Sequence, residues 1–584
     1  MERYVNKKIK INTFLIIFLI ILLFNYIVSK RIVYYDSKSY WTLGNEVIKN
    51  GILAYPESFR GYFFPCLISL LKEIGIAMFS SKWILFMVFG SLCASFIITI
   101  AIPALLDVKN ITKKRYIIGT VINTVIFLYF WRDSILYPLT DIFAIFFYNT
   151  GLMLLNKIIN FSKEKFSIIL FFISLFVGIF LYCAYNTRTI YLVPSFLLII
   201  SYFIYMFHKL KINKYLTICI CAIGIVIGGS IVAYPQMKIN HQYTNKYTPK
   251  VLTEFRSGYE YSLSDWQLLQ GMRYERYETY VGDKVGNQDT GGVRFYDYTG
   301  SKIISLENLP NNISLFQFIK LFLKYPLDFI GMYVRSTINY MTPIYSEIYV
   351  NDIWKDKSFN ILLNAVIWII AFGTLIFQSK EKVREWFKNF KVSIPIFCFI
   401  LPCLMIIPGA PETRFFLPAY FLLYGFVCYK INYKELFSLL KKYKYSLTIM
   451  FFAILFTWIS VIGSTLGNTG QPEDAILISG IEQNFGAPDL VSADFKVSTK
   501  GNKIIVENNY DYGDYNYAWY IYCNEEAIDK IMYSDDNILE YEFKEDGKYS
   551  IKSFIKNTED SEDKQSIIVC TIDVNNGKLK IVND

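Results

Sequence analysis

Residues 14–28 read FLIIFLIILLFNYIV, a run without a single charged side chain. Stretches of about 20 apolar residues span a lipid bilayer. Similar runs recur through the 584-residue chain, which is 54% hydrophobic and 18% charged, with a mean hydropathy of +0.32. Soluble proteins carry roughly 25% charged residues. The sequence therefore predicts a polytopic α-helical membrane protein and excludes a soluble multidomain enzyme.

Hydropathy and loop charge together predict about eleven transmembrane (TM) helices. The predicted spans are 11–29, 82–106, 116–131, 138–155, 167–183, 190–207, 215–234, 359–377, 392–408, 414–429 and 445–463. With the N-terminus in the cytoplasm, the six cytoplasmic segments hold 24 Lys and Arg residues, whereas the short outer turns 131–137, 184–189 and 408–414 together with residues 30–60 hold 8. The positive-inside rule favours this orientation. The first span lacks a small-residue cleavage site and is expected to be retained.

This topology puts three segments on the outer side, namely 30–81, about 235–358 and the tail from residue 464. The tail has 23 Asp and Glu against 11 Lys and Arg, although the whole chain has a net charge of +10. We therefore expect two domains, a membrane domain over 1–463 and an extracytoplasmic domain over 464–584. A basic membrane body with an acidic tail does not indicate nucleic-acid binding.

The tail alternates apolar and polar residues in six short segments divided by Gly, Asn and Asp turns. These segments are 494–499, 502–508, 515–523, 538–543, 548–556 and 566–573. The runs YNYAWYIY (515–522) and EDGKYSIKSFIKN (545–557) resemble Ig-like β-sandwich modules of bacterial surface proteins. We expect an all-β sandwich of about 90 residues. Cys523 and Cys570 either pair across it or stay reduced, and the sequence leaves both readings open.

The outer loops contain amphipathic stretches. Residues 37–50 have apolar and polar helical faces and end before Gly51, where a helix C-cap is expected. Residues 61–79 form a second apolar stretch interrupted by Lys72 and Glu73, and both are predicted to be interfacial helices. The larger loop starts tyrosine-rich and ends in an amphipathic stretch, 314–340, broken at Pro326.

Asp36, in YYDSKSYW just after the first span, is the strongest candidate for chemistry. A carboxylate immediately outside a membrane can accept a proton from a hydroxyl group at the interface. Asp is also a good helix N-cap, and the spacing alone leaves that purely structural reading open.

Four arginines lie at the predicted outer ends of spans, and arginine binds phosphate oxygens through a planar fork. They are Arg60, Arg132, Arg188 and Arg414. Each of them either binds an anion or reaches toward lipid headgroups. Asp133, beside Arg132, and Asp141, in the predicted fourth span, are further candidates. Asp141 is either functional or a paired polar residue near the interface.

The order of these features resembles the GT-C glycosyltransferases, the group of protein O-mannosyltransferases and aminoarabinose transferases. The matching pieces cover residues 10–430 and are Asp36 with Tyr40, GIL (51–53), RGYFFP (60–65), LTD (139–141), TRT (187–189) before Pro194, and ETRFFLP (412–418).

The resemblance implies a polyprenyl-phosphate sugar as donor and an acceptor outside the cytoplasmic membrane, which is an envelope glycan, lipid or protein. Asp36 would be the general base, and arginines such as Arg188 would hold the donor phosphate. One carboxylate in line with the anomeric carbon gives inversion. Oligosaccharyltransferases of this superfamily use a D-x-D motif with a metal, whereas this chain has Asp36-Ser37-Lys38. We therefore expect metal-independent transfer without a cofactor.

Two other functions compete with glycosyl transfer. A polysaccharide polymerase or ligase also uses outer arginines and a large outer loop. A transporter or flippase for lipid-linked glycans would favour charges deep within spans and an internal repeat. The chain has only two histidines, no C-x-x-C pair and no phosphate-binding P-loop, so a His/Cys metal site and an ATP-driven pump are not expected. A composition rich in Ile, Lys, Asn, Tyr and Phe is typical of an AT-rich bacterial genome, so the bacterial cytoplasmic membrane is the expected location.

Overall fold

The structure is a computed structural model of the whole chain. The residues that it describes are 6–29, 31–56, 58–108, 111–161, 168–210, 214–252, 262–281, 291–310, 312–352, 355–377, 389–431, 433, 438, 441, 444–467, 495–508, 515–523, 526–534, 537–557, 564–575 and 578–582.

As far as residue 467 the regular structure of the described chain is helical, apart from three short strands. In chain order the helices are α1 (Lys7–Val28), α2 (Tyr35–Leu43), α3 (Asn45–Asn50), α4 (Phe63–Phe79), α5 (Ile84–Phe96), α6 (Ile102–Leu105), α7 (Lys113–Phe130), α8 (Asp133–Leu136), α9 (Thr140–Phe161), α10 (Ile168–Thr187), α11 (Leu192–Lys209), α12 (Lys214–Thr244), α13 (Leu263–Arg273), α14 (Tyr298–Leu306), α15 (Leu315–Lys324), α16 (Pro326–Tyr340), α17 (Ser358–Phe377), α18 (Phe390–Ile406), α19 (Leu417–Gly425) and α20 (Lys444–Gly467).

Eight helical segments of the described chain are long and apolar enough to cross a membrane. They are α1, α5 with its continuation through α6, α9, α10, α11, α12, α17 and α20. The chain is thus a polytopic helical membrane protein, as predicted. The other three predicted spans are also helical, but shorter or less apolar, and correspond to α7, α18 and α19, which runs into a π-helical turn (Phe426–Lys430).

The helices α10 and α12 pack with their backbones in close contact. A Cβ atom on Gly178 would lie 2.0 Å from the carbonyl oxygen of Ile225, and one on Gly228 would lie 1.9 Å from that of Leu175. Small residues allow such approach between membrane helices, where dispersion contacts rather than the hydrophobic effect drive association. The two glycines therefore fix the spacing of this helix pair.

The segments between α1 and α5 and between α12 and α17 meet at one end of the helical bundle, which we call the loop end. The Tyr243 hydroxyl donates to the carbonyl of Tyr55, at 2.9 Å, and the Tyr349 hydroxyl donates to that of Tyr34, at 3.0 Å. The predicted amphipathic helix at 37–50 is divided at Gly44 into α2 and α3, and Gly51, with a φ of 88°, ends it as expected. The predicted break at Pro326 is also confirmed.

The tail from residue 495 forms two antiparallel sheets. The strands of the long loop are β1 (Tyr274–Tyr280), β2 (Gly291–Tyr296) and β3 (Tyr349–Val350). The strands of the tail are β4 (Phe495–Lys500), β5 (Lys503–Asn508), β6 (Tyr515–Cys523), β7 (Glu526–Ser534), β8 (Ile538–Glu542), β9 (Gly547–Asn557), β10 (Lys564–Asn575) and β11 (Lys578–Val582). The strand orders are β4-β5-β8 and β11-β10-β9-β6-β7. Ile504 and Leu539 of the first sheet share one core with Trp519, Ile551 and Ile572 of the second. All six predicted strands are present, and the tail is a β-sandwich.

Cys523 and Cys570 are free thiols in this sandwich. Cys523 pairs with Tyr549 of β9, and Cys570 pairs with Ile551 on the other side of the same strand. Neighbouring strands lie about 4.8 Å apart, so two strands separated by a third are about 10 Å apart. A disulfide needs Cα atoms within about 7 Å. The structure thus decides between the two readings in favour of reduced thiols.

We expect residues 475–584, produced alone, to give a β-type circular dichroism spectrum and a cooperative thermal transition. Ile551 is fully buried at the centre of the core, and truncating such a side chain to Ala costs about 2–5 kcal/mol. Ile551→Ala should lower the Tm by at least about 8 °C in a domain of this size. Ile528→Ala, at a side chain that is 49% exposed on β7, is the matched control and should change it little. Equal shifts for the two variants would contradict the sandwich core.

Candidate functional site

Asp36 lies in the first turn of α2 but does not cap the helix. The N-cap is Tyr34, and the capping contacts come from Ser37, whose hydroxyl accepts from the Tyr34 N–H at 2.8 Å. The Tyr349 hydroxyl accepts from the Ser37 N–H, at 3.2 Å. Because these groups satisfy the helix start, the Asp36 carboxylate is available for other contacts. The structure thus disfavours the reading of Asp36 as an N-cap.

Each carboxylate oxygen of Asp36 contacts a different guanidinium. Arg60 Nη2 donates to Oδ1 at 2.5 Å, and Arg414 Nη2 donates to Oδ2 at 2.8 Å. Glu412 Oε2 accepts from Arg414 Nε at 2.5 Å. We call these four residues the Asp36 cluster. Two of the four predicted arginines therefore converge on the predicted carboxylate.

Electrostatics keep the Asp36 carboxyl ionised. Burial acts to raise its pKa, but the positive charges of Arg414 and Arg60 outweigh burial and lower the pKa from 3.8 to about 2. Nearby, burial together with the Glu412 carboxylate raises the pKa of Tyr277 to about 12. At neutral pH Asp36 is thus a carboxylate between two guanidinium groups, with the protonated phenol of Tyr277 nearby.

Aromatic rings hold the arginines of the cluster. The Arg60 guanidinium lies 5.0 Å from the ring centroid of Tyr40 and 4.5 Å from that of Phe59. Cation–π contacts of this kind fix the plane of the guanidinium. The Nε of Arg60 is buried and forms no hydrogen bond with any residue of the described chain. Arg60 thus retains one unused donor beside Asp36, and Tyr40 belongs to the site as its ring support.

Arg188 and Asp141 form a second ion pair at the loop end. Asp141 lies in the first turn of α9 and is buried, and Arg188 follows the last residue of α10. The Phe415 ring lies between the two arginines, 4.6 Å from the guanidinium of Arg188 and 5.3 Å from that of Arg414. Asp141 is thus a paired residue at a span end, and Phe415 connects its partner to the Asp36 cluster.

Arg132 and Asp133 belong to a third cluster. Arg132 Nη2 lies 3.2 Å from Glu347 Oε1, and Asp133 Oδ2 accepts from the N–H of Ile348 at 2.8 Å. Asp133 also accepts from the N–H of Tyr349, at 3.4 Å, and it is Tyr349 that contacts α2. Within the described chain, Arg132 therefore reaches the Asp36 cluster only through the loop that holds Tyr349.

The sequence reasoning did not single out Glu412, Phe415, Tyr349 or Arg276. Glu412 and Phe415 lie within ETRFFLP, on either side of Arg414. Their positions beside an arginine that had been identified could have indicated that they belong to the site. The Arg276 side chain is 1% exposed and donates to Glu278, to Thr413 and to the carbonyls of Asn339 and Thr342. It holds together three loop segments that are distant in sequence, and no local pattern marks it.

A small cavity adjoins the Asp36 cluster. It has a volume of about 30 Å³ and is lined in part by Trp131, Tyr277, Glu347, Glu412 and Arg414. On this measure a single water molecule needs about 10–15 Å³, so the cavity can hold water beside the Arg414 and Glu412 side chains. No group of three His, Cys, Asp or Glu side chains suited to a metal occurs among the residues described.

The fold and site define a polytopic membrane protein with a carboxylate–arginine cluster where its helices meet the long loops. The sequence matches no known protein-family profile, and no curated protein sequence is similar to it. Among solved structures the chain is similar to the archaeal oligosaccharyltransferase AglB from Archaeoglobus fulgidus, determined with an inhibitory peptide and a dolichol-phosphate. The two are 10% identical with a TM-score of 0.37, and the match covers 78% of this chain and 56% of AglB.

We predict that Asp133 is structural. Asp133→Ala leaves the N–H groups of Ile348 and Tyr349 without their acceptor, at a cost of about 1–3 kcal/mol each, whereas Asp133→Asn retains an acceptor oxygen. Thermal unfolding of the purified protein in detergent should show a clear destabilisation for Ala and little for Asn.

The pH dependence of stability provides a second readout for Asp133. Burial raises its pKa to about 6, against about 3.9 in an unfolded chain. Ionisation of Asp133 is thus disfavoured in the folded protein. It lowers the free energy of unfolding above pH 6, and the free energy of unfolding rises again as the pH falls from 6 to 4. Asp133→Asn should remove this contribution. An unchanged pH profile in that variant would contradict the assignment.

Proposed function

We propose that the protein transfers a sugar from a polyprenyl-phosphate donor to an acceptor of the bacterial cell envelope, with inversion and without a metal. The observation that carries the proposal is the Asp36 cluster, in which one carboxylate and two guanidinium groups are in direct contact. Such a pairing provides both partners that the reaction needs, a proton acceptor for the hydroxyl and cations for the phosphate leaving group.

The arginines would hold the donor. The leaving polyprenyl phosphate gains negative charge as the anomeric C–O bond breaks, and guanidinium groups stabilise that charge through paired hydrogen bonds. Arg60 has a free buried Nε donor, and Arg414 is held by Glu412 on its Nε side. Arg188, whose guanidinium also lies against the Phe415 ring, is a third arginine near the cluster.

Asp36 would receive the proton of the acceptor hydroxyl as that oxygen attacks the anomeric carbon. A carboxyl with a pKa of about 2 is a poor proton acceptor while both arginines contact it. We propose that the donor phosphate takes over part of the guanidinium contacts. Asp36 then loses positive neighbours, its pKa rises, and the base becomes effective only when the donor is bound.

The charge of the loops supports this location. The loop end would face the outside, because that orientation puts 24 basic residues in cytoplasmic segments against 8 in the short outer turns and residues 30–60. Asp141 and Arg188 lie at span ends and pair with each other, which suits a site at the membrane surface more than a carrier path through the bilayer. A polymerase or ligase would not depend on the first-loop carboxylate.

We predict that Asp36→Asn abolishes transfer without unfolding the protein. The amide keeps the size of the carboxylate and one of its two accepting oxygens but accepts no proton, and loss of a positioned base costs about 10²–10⁴-fold in kcat. The assay is transfer of labelled sugar from polyprenyl phosphate by purified protein in detergent, with a chelator present. Asp133→Asn, the same chemical change at a carboxylate outside the cluster, is the control and should retain activity. Near-wild-type turnover by Asp36→Asn would refute the mechanism.

Coupling between the donor and Asp36 should appear in the pH profile. The acid limb of kcat/KM reports the free enzyme and that of kcat reports the donor complex. The acid limb due to Asp36 should lie near pH 2 in the kcat/KM profile and at least about one pH unit higher in the kcat profile. The reason is that, in the donor complex, the donor phosphate has replaced the Asp36 carboxylate as the partner of an arginine, so the pKa of Asp36 is higher. The measurement is best made in the Asp133→Asn variant, which removes a second titrating carboxyl. Coincident limbs would exclude the exchange of partners.

A further inference from the structure

The helices α15 and α16 form a hairpin with an unusually apolar exposed surface. Seven large hydrophobic residues along it are between 48% and 80% exposed. They are Leu315, Phe316, Ile319 and Leu323 on α15, and Leu327, Ile330 and Val334 on α16. We call this set the hairpin face. Contiguous apolar patches of this kind mark interaction sites rather than ordinary protein surface.

The hairpin face is separate from the side that packs on the protein. Phe318 and Leu321 of α15, and Phe329 and Met332 of α16, are buried in a core shared with α13 and α14. The exposed apolar residues recur every three or four positions, so they form a second stripe beside the buried one. The charged side chains Lys320 and Asp328 lie on the remaining arc of each helix. The hairpin thus carries a stripe of large apolar side chains that are at least 48% exposed within the described chain.

Two contacts place the hairpin at the boundary of the bilayer. Asn339, near the end of α16, donates to Thr465 near the end of the membrane helix α20, at 2.9 Å. The Tyr340 hydroxyl donates to the carbonyl of Ala410, at 2.9 Å, just after α18. The hairpin therefore extends from the point where these helices emerge at the loop end.

An apolar groove of about 520 Å³ separates the hairpin from α18. Ile330, Tyr333 and Val334 line one wall, and Leu404 and Ile407 line the other. Leu404 is 47% exposed, and Phe397, further along α18, is 50% exposed. The groove thus continues the apolar surface of a bundle helix onto the hairpin.

We propose that the hairpin face lies in the lipid bilayer, among the acyl chains of the leaflet at the loop end, with a lipid chain in the groove. The continuity with α18 supports lipid as the occupant. So does the position of Lys320, which borders the apolar stripe on α15, because long lysine side chains extend from a buried helix to the headgroups. The inference does not depend on the proposed glycosyl transfer.

Photo-cross-linking of the full-length protein in phosphatidylcholine nanodiscs tests the proposal. p-Benzoylphenylalanine is placed at Phe316 or at Leu327, whose side chains are exposed enough to accept the added benzoyl group. Lys320 and Asp328, on the charged arcs of the same two helices, are the matched control positions. Mass spectrometry should detect phosphatidylcholine adducts at 316 and 327 in at least about fivefold higher yield than at 320 and 328, since the apolar side of an interfacial helix contacts acyl chains.

The other outcomes would overturn the proposal. Adducts between two copies of the chain at 316 or 327, in place of lipid adducts, would show that the hairpin face is a protein interface. Equal lipid yields at all four positions would show that the apolar stripe has no preferred contact with the bilayer. Monodisperse elution and an unchanged Tm for each labelled protein confirm that the comparison concerns folded molecules.

Discussion

The charge balance at Asp36 is the constraint on which the site depends. A carboxylate near the membrane boundary is costly unless it is paired, and here it takes one guanidinium from the same loop and another from more than 370 residues further along the chain. The second contact ties the first loop to the segment before α19. The ion pairs thus join elements that the membrane helices alone would leave independent.

Much of the fold could be predicted because it depends on local composition. Long apolar runs identify membrane helices, and the alternating tail identifies strands. The two tail strands that were not predicted from the sequence, β7 and β11, are the edges of the five-stranded sheet. An edge strand has a neighbouring strand on one side only, and edge strands carry more charged residues, as EAIDKIMYS and KLKIV do. Their apolar pattern is therefore weak.

The site was predictable in part for the same reason. Asp36 was singled out as a carboxylate just outside the first span, and Arg60 and Arg414 as arginines at outer span ends, and both arguments are local. Their partners are set by tertiary contacts that no spacing reveals. Glu412 and Phe415 flank an arginine that had been identified, yet only the three-dimensional arrangement shows that one holds its Nε and the other separates it from Arg188. Arg132 was singled out by the same argument but does not join the cluster, because the turn at α8 directs its side chain to Glu347.

The position of β9 between β6 and β10 has a consequence for biogenesis. Because this strand keeps the two thiols of the sandwich apart, the domain has no internal crosslink to form. Its folding requires neither a thiol oxidase nor a disulfide isomerase, and its stability comes from the core around Trp519 and Ile551. The domain is therefore suited equally to aerobic and to strictly anaerobic surroundings, and thiol reductants should leave it folded.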